Sequence, residues 1–316
     1  MSEDGHDPRL QLLSGLELSD CRIEFSSAPI VLLCGGKVTQ KPHPDAPDPP
    51  ILSLRHGITN AHTKFEVFRP EEIPSWHSDG VFKDLVSFEL ELASICSLVV
   101  IILESEGSLV ELGAFSQQPD LSNKIVAICA SQYVDEISFI NLGILRFIAE
   151  KNSSYVRSYP WKVGKPETIL SEVVDDVVSD IQQELEKLPK SQVLKIDQNS
   201  HVMAIICELL RLFSALKESE ILEYLLLLGA KVDKFQLKGK LFLLKSFKLI
   251  KIQQYSDAIF YMHGSEPYHP IRLALKDKSK PLDTLRVQLQ CLEFYKQSEK
   301  HRNRNRAISQ AKGELS

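Results

Sequence analysis

At 316 residues, 43% apolar and 25% charged, the chain has a globular composition and length enough for two domains. Its apolar runs reach only about six residues, too short to span a bilayer, and the acidic start M-S-E-D-G-H-D-P has no apolar signal core. These features point to the cytoplasm and away from a membrane.

The six cysteines (Cys21, Cys34, Cys96, Cys129, Cys207, Cys291) are scattered without a C-x-x-C pair and read as reduced, buried thiols. The nine histidines show no zinc-type spacing, so neither a metal site nor a cofactor is expected. The net charge of −5 hides an asymmetry. Residues 1–190 carry 16 Lys+Arg against 29 Asp+Glu, whereas residues 191–316 carry 21 against 13. An acidic half joined to a basic half predicts two jobs, the second with a polyanion.

In chain order, residues 30–34 read as a first buried strand, followed at once by Gly35-Gly36. That pair either admits a ligand close to the backbone or simply closes a tight turn. Residues 41–50 hold five prolines and can be neither helix nor central strand. A helix over 51–63 and a strand over 65–68 follow, the strand ending at Arg69-Pro70-Glu71-Glu72. A helix over 81–96 places Phe82, Leu85, Phe88, Leu92 and Ile95 on one face.

Residues 98–103 form a continuous apolar run, a strand buried on both faces. The loop Glu104-Ser105-Glu106-Gly107-Ser108 then leads into a helix. In an open α/β sheet, ligands sit at this end of a strand. Glu111 lands there, as do Glu104 and, after the preceding strand, Glu71 and Glu72. A carboxylate so placed can attack a sugar anomeric carbon. Ser108 and Glu111 also fit S-x-x-E, a capping box with Ser108 at the N-cap, and the two roles can coexist. Strands at 124–129 and 155–157 alternate with helices at 137–150 and 167–188. The whole predicts a doubly wound, mostly parallel α/β sheet.

Four segments together resemble the nucleoside 2-deoxyribosyltransferase-like proteins, and specifically the effectors of bacterial retron antiphage systems. They are I-V-L-L-C-G-G at 30–36, F-R-P-E-E at 68–72, V-V-I-I-L-E-S-E-G-S-L-V-E-L-G-A-F-S at 99–116 and S-F-I-N-L-G-I-L-R at 138–146. The resemblance implies that Glu111 is the nucleophile of a covalent ribosyl intermediate. It also implies that Ser108 lies near the ribose, that Gly35 and Gly36 face sugar and phosphate, and that the substrate is a nucleotide or NAD-like molecule. The chain departs from the family at Glu106, where proline is typical, and at Leu109-Val110, where an aromatic-Thr pair is.

Beyond residue 200 the periodicity predicts three helices (202–216, 217–228, 231–247) and two short strands (249–252, 258–261), the order of a winged helix-turn-helix. Residues 231–252 hold seven lysines against one aspartate. Lys231, Lys234, Lys238, Lys245 and Lys248 are the candidate phosphate contacts; solvated lysines on a protein-docking face are the other reading. The tail R-N-R-N-R is expected to be disordered when unbound.

The predicted domains are an N-terminal extension (1–24), the deoxyribosyltransferase-like domain (25–190), a winged-helix-like DNA-binding domain (191–275) and a basic tail (276–316). The resemblance further implies partnership with a retron reverse transcriptase and its multicopy single-stranded DNA–RNA hybrid, and leaves a homo-oligomer open. The alternative is a non-catalytic, nucleotide-sensing transcription regulator.

Overall fold

The structure is a computed structural model and describes residues 7–25, 29–39, 47, 49–78, 80–266, 268–279 and 282–313. Most of the proline-rich 41–50 segment lies outside the described residues. The chain divides into two compact units. One comprises Met1–Ser26 with Pro189–Ser316, the other Ser27–Leu188.

In chain order the first unit begins with α1 (Pro8–Gly15) and β1 (Arg22–Glu24). The second unit follows as β2 (Ile30–Cys34), α2 (Leu54–Asn60), β3 (Glu66–Phe68), α3 (Leu85–Ile95), β4 (Leu98–Ile102), α4 (Glu106–Ser116), β5 (Ile125–Ala130), α5 (Arg146–Lys151), β6 (Val156–Tyr159) and α6 (Ser171–Lys187). The first unit then resumes with β7 (Ser191–Val193), α7 (Asn199–Phe213), α8 (Glu218–Leu227), α9 (Lys234–Ser246), β8 (Ile250–Tyr255), β9 (Ala258–His263), β10 (Ile271–Arg272), α10 (Thr284–Gln297) and α11 (Arg302–Ala311).

In the 27–188 unit five parallel strands lie in the order β3-β2-β4-β5-β6. This is an α/β fold. Every residue of β4 and β5 is buried, as the unbroken apolar runs require of strands covered on both faces. The valines and isoleucine of α6 (Val173, Val174, Val177, Ile181) join Val31, Leu33, Val100 and Ile128 in one core. Helix α2 lies so close to α6 that a Cβ on Gly57 would stand 2.8 Å from Val174.

Two predicted elements differ. Leu85, expected on the apolar face of α3, is 46% exposed, because the helix begins there with Asp84 as its N-cap. The helix expected over 137–150 opens into a wide π-type turn at Ile140–Leu145 before α5. The Asn141 amide accompanies that turn, donating to the carbonyls of Tyr133 and Glu136 at 2.6 and 2.8 Å.

In the other unit, α7–α9 are followed by the β8–β9 hairpin. Helix α7 is buried nearly all round because α8, α10, β9 and β10 pack on it. The expected extension 1–24 and tail 276–316 are parts of this unit. Strand β1 is the middle strand of an antiparallel sheet β10-β1-β7, with Arg22 opposite both Val193 and Arg272. At the head of α1, Arg9 forks onto Asp7 (2.6–3.1 Å) and reaches Glu220 of α8 at 2.8 Å.

The R-N-R-N-R stretch is helical rather than disordered. The reason is Arg304, which bonds both oxygens of Glu220 (2.5 and 2.6 Å) and lies over Tyr295 at 4.7 Å. Its Nε and Nη1 have no hydrogen-bond acceptor among the described residues, and aromatic faces lie against the guanidinium instead. Nearby His301 is pushed down to about 4 by burial and by the charges of Arg304 and Arg9. All six cysteines are free and buried. Among the described residues no helix is long and apolar enough to cross a membrane.

Candidate active site and candidate nucleic-acid interface

The strand order of the α/β unit reverses between β2 and β4, so the segments leaving their carboxyl ends run to opposite sides and open a crevice. Gly35-Gly36 and Glu104 sit there. Glu104 Oε1 accepts the amides of Gly36 and Arg55, both at 3.0 Å, and Oε2 accepts that of Leu54 at 2.8 Å. Glu104 therefore ties the β2 turn to the head of α2. Burial raises its pKa against the pull of those three amides.

The same turn explains Gly36. A Cβ there would lie 2.7 Å from the Cβ of Ser53 and 3.0 Å from Glu104 Cδ. The glycine admits neighbouring protein rather than open space.

Arg55 is the hub beneath the crevice. Its Nε donates to Leu33 O at 2.9 Å, and its two terminal nitrogens form a fork with Glu71 at 2.8 Å each. Burial opposes the Glu71 charge, but the bonded guanidinium holds its carboxyl below the usual range. Glu72 is engaged elsewhere, accepting the Arg69 amide at 3.2 Å and its Nε at 2.9 Å.

The N-cap of α4 is Ser105, not Ser108. Ser105 Oγ accepts the Ser108 amide, and Ser108 Oγ accepts the Ser105 amide, both at 3.2 Å. Ser108 is fully buried and also donates to Ser105 O at 2.8 Å. The helix thus starts one turn earlier than S-x-x-E suggests, and Glu111 takes no part in capping. Its Oε2 is buried without a hydrogen-bond donor among the described residues. The Cys34 thiol is near enough to its carboxylate to favour the charged form. Burial raises the Glu111 pKa; the Arg55 charge and the thiol oppose this, and the Glu71 charge adds to it.

Gly35, Gly36, Glu71, Glu104 and Glu111 are therefore gathered at one crevice, together with three groups that sequence reasoning missed: Arg55, Cys34 and Glu89. Glu89 lies on α3 and is 8% exposed. Burial and the charges of Glu111 and Glu71 push it up to about 7. The legible signal was a glutamate three residues before Leu92 in a helix whose buried side is apolar. Among the described residues no cluster of three His, Cys, Asp or Glu side chains could hold a metal ion.

In the other unit, Asp233 caps α9 and Lys234, Lys238 and Lys245 share its exposed side. At 100° per residue these three fall within about 40° of one another. Phe235, 39% exposed, and half-buried Phe242 flank that stripe on one side of the helix. Lys231 and Lys248 flank the helix and are exposed. Lys240 is different: it is buried, and its Nζ donates to Asn199 Oδ1 at 2.9 Å.

A family model described as STM3845 retron effector protein matches residues 52–252, more than half of the chain and part of both units. The "Retron Ec86 putative ribosyltransferase/DNA-binding protein" of Escherichia coli is 32% identical over 130 residues, 40% of this chain and 39% of that protein. The "Retron Ec73 putative ribosyltransferase/DNA-binding protein" of Escherichia coli is 30% identical over 78 residues, 25% of each. The matched stretches thus span well under half the length of either relative. With a model match of that extent, across residues that include the crevice carboxylates Glu71, Glu89, Glu104 and Glu111, the chain belongs to the STM3845 retron effector family.

Proposed function

We propose that residues 27–188 form a nucleoside deoxyribosyltransferase-like catalytic unit, an N-glycosidase or ribosyltransferase acting on a nucleotide or NAD-like substrate, with Glu111 as the covalent nucleophile. The observation that carries this reading is the condition of Glu111. Among the described residues it caps no helix, joins no salt bridge, and keeps one carboxylate oxygen without a donor at the strand-order reversal. A structural carboxylate in that place has its oxygens filled, as Glu104 does. The printed names of both Escherichia coli relatives include ribosyltransferase, which supports the reaction class.

The helix–hairpin part of the other unit is, on this proposal, a winged-helix-like nucleic-acid module. Lys231, Lys234, Lys238, Lys245 and Lys248 contact phosphates, and Phe235 lies beside them. Its ligand is the retron's DNA–RNA hybrid, held with the reverse transcriptase, and the enzyme stays silent until a phage disturbs that complex. The DNA-binding part of the relatives' names and the retron family support this assignment.

The test is metabolite profiling of cells expressing the wild type or Glu111→Gln. The wild type depletes a nucleotide or NAD-like pool and arrests growth, and the Gln variant does neither. Full toxicity of the Gln variant at normal abundance overturns the catalytic reading and leaves the non-catalytic regulator.

A further inference from the structure

Helix α11 carries charge that its own fold does not ask for. Arg302 opens the helix and Arg306 follows one turn later, both exposed, and no residue from Arg302 to Ala311 is acidic. Arg304 between them is accounted for by its bonds to Glu220. Among the described residues the side chains of Arg302 and Arg306 make no hydrogen bond or salt bridge, and Glu299 in the turn before the helix pairs with neither. The N-cap, His301, offers no side-chain hydrogen bond. Cations in a first turn oppose the helix dipole, and like charges four residues apart repel. The arrangement costs helix stability, and no intramolecular partner returns it.

The helix is nevertheless firmly seated. Ala307 and Ile308 are buried, the Asn305 amide donates to Tyr295 O at 2.6 Å, and Gln310 accepts from Gln253 of β8 at 3.1 Å. At 100° per residue Arg302 and Arg306 lie about 40° apart, on the side opposite Ala307 and Ile308. Side chains alternate along a strand, so Lys251, which is exposed, shares the Gln253 face of β8. Lys251 therefore stands on the face that meets α11, while α9 with its lysines packs against the same strand. Helix α11 holds no aromatic side chain on which a base could stack.

We propose that Arg302 and Arg306, with Lys251, form a second phosphate-contact face, on which the backbone of a nucleic-acid duplex lies irrespective of its sequence. The choice of a duplex follows from the chemistry. Guanidinium groups without an aromatic ring beside them engage phosphates and leave the bases paired. A docked polyanion relieves the repulsion between the two arginines and meets the positive end of the helix dipole, which recovers what α11 loses on its own. The face extends the reading of α9 as a nucleic-acid contact but stands on its own residues. Both arginines lie beyond residue 252, where the family match ends.

The experiment measures binding of the full chain to two fluorescent DNA duplexes of unrelated sequence and to a single strand of the same length, between about 50 and 200 mM salt. Wild type is compared with Arg302→Gln plus Arg306→Gln, with Arg302→Lys plus Arg306→Lys, and with the α9 variant Lys234→Ala, Lys238→Ala, Lys245→Ala. On both duplexes the Gln pair makes the log K against log[salt] line shallower by roughly 0.9 per arginine, and the Lys pair keeps the wild-type line. The urea midpoint of the Gln pair is unchanged or higher, because the cost to the helix has been removed. An unchanged slope overturns the proposal, as does a loss confined to the single strand or to one of the two duplexes. A lower urea midpoint makes the arginines structural and overturns it too. If only the α9 variant keeps the wild-type line, the α9 reading fails and this one stands; if the wild type binds no nucleic acid, both fail.

Discussion

The Gly36 amide donates to Glu104 Oε1 at 3.0 Å, so the turn after the first strand of the sheet and the loop after its neighbour are held by one carboxylate. The same carboxylate bonds the head of the following helix at Leu54 and Arg55. Substitution at Gly36 is therefore a folding defect before it is a catalytic one. The cause is the 2.7 Å approach of a new Cβ to Ser53. We expect Gly36→Ala to destabilise by about 1–3 kcal/mol, as overpacking does, measured by urea unfolding. Unchanged stability with lost ligand binding would show that the turn faces substrate instead.

Stability should also fall as pH rises from about 4.5 to about 7. Glu89 has its folded pKa raised from 4.5 to about 7, so across that window the native state holds a proton that the unfolded state has released. The contribution is fully present below 4.5 and lost as pH passes 7. At 1.36 kcal/mol per pKa unit it is on the order of 3 kcal/mol. The difference between wild type and Glu89→Gln, followed by denaturant titration at pH 5 and pH 8, isolates it from the other groups. A difference independent of pH would refute the raised pKa.

Glu220 holds two arginines from opposite ends of the chain, Arg9 and Arg304. Glu220→Ala leaves both guanidinium groups buried without their shared anion and is expected to cost about 3–5 kcal/mol. In a double-mutant cycle with Arg304→Ala the losses should be clearly non-additive. Additive losses would mean that the two side chains act independently.

Nucleic-acid binding should be lost in steps with the lysines of α9. The first unit comprises residues on both sides of the α/β unit, so the appropriate fragment joins 1–25 to 190–316 by a short linker. Residues 191–316 alone lack the middle strand β1 and Arg9 and should fold poorly. A triple Lys234→Ala, Lys238→Ala, Lys245→Ala variant of the full chain should bind more weakly. Its log K against log[salt] line should be shallower by roughly 0.7–0.9 per phosphate contact removed. An unchanged salt slope would assign this face to protein docking.

The α/β sheet was legible because its three central strands, β2, β4 and β5, are unbroken apolar runs and its turns carry glycine or proline. The position of Glu111 followed from the run at 98–103. The helix cap was misread because Ser105 and Ser108 both precede the helix, and only the pairing of their amides and hydroxyls decides which is outside it. Glu89 was missed because one glutamate in a helix reads as solvated unless its place three residues before Leu92, on the buried side, is weighed. The partners of β1 lie far along the chain, at Val193 and Arg272, and no local pattern announces such pairing. The basic tail misled for a related reason: its composition suits a solvated segment, yet Arg304 is held by Glu220 and aromatic faces.

The ladder between β1 and β7 has a topological consequence. Glu24 and Ser191 are register partners, so the two ends of the long intervening segment are fastened roughly 4.8 Å apart, one strand spacing. A protease that nicks the chain once within that segment does not release either fragment. The amino-terminal piece stays bound through β1 and Arg9, and the carboxyl-terminal piece holds their partners. Cleavage would be visible on a denaturing gel while the native particle keeps its mass, and length changes inside the segment leave the seam's register untouched.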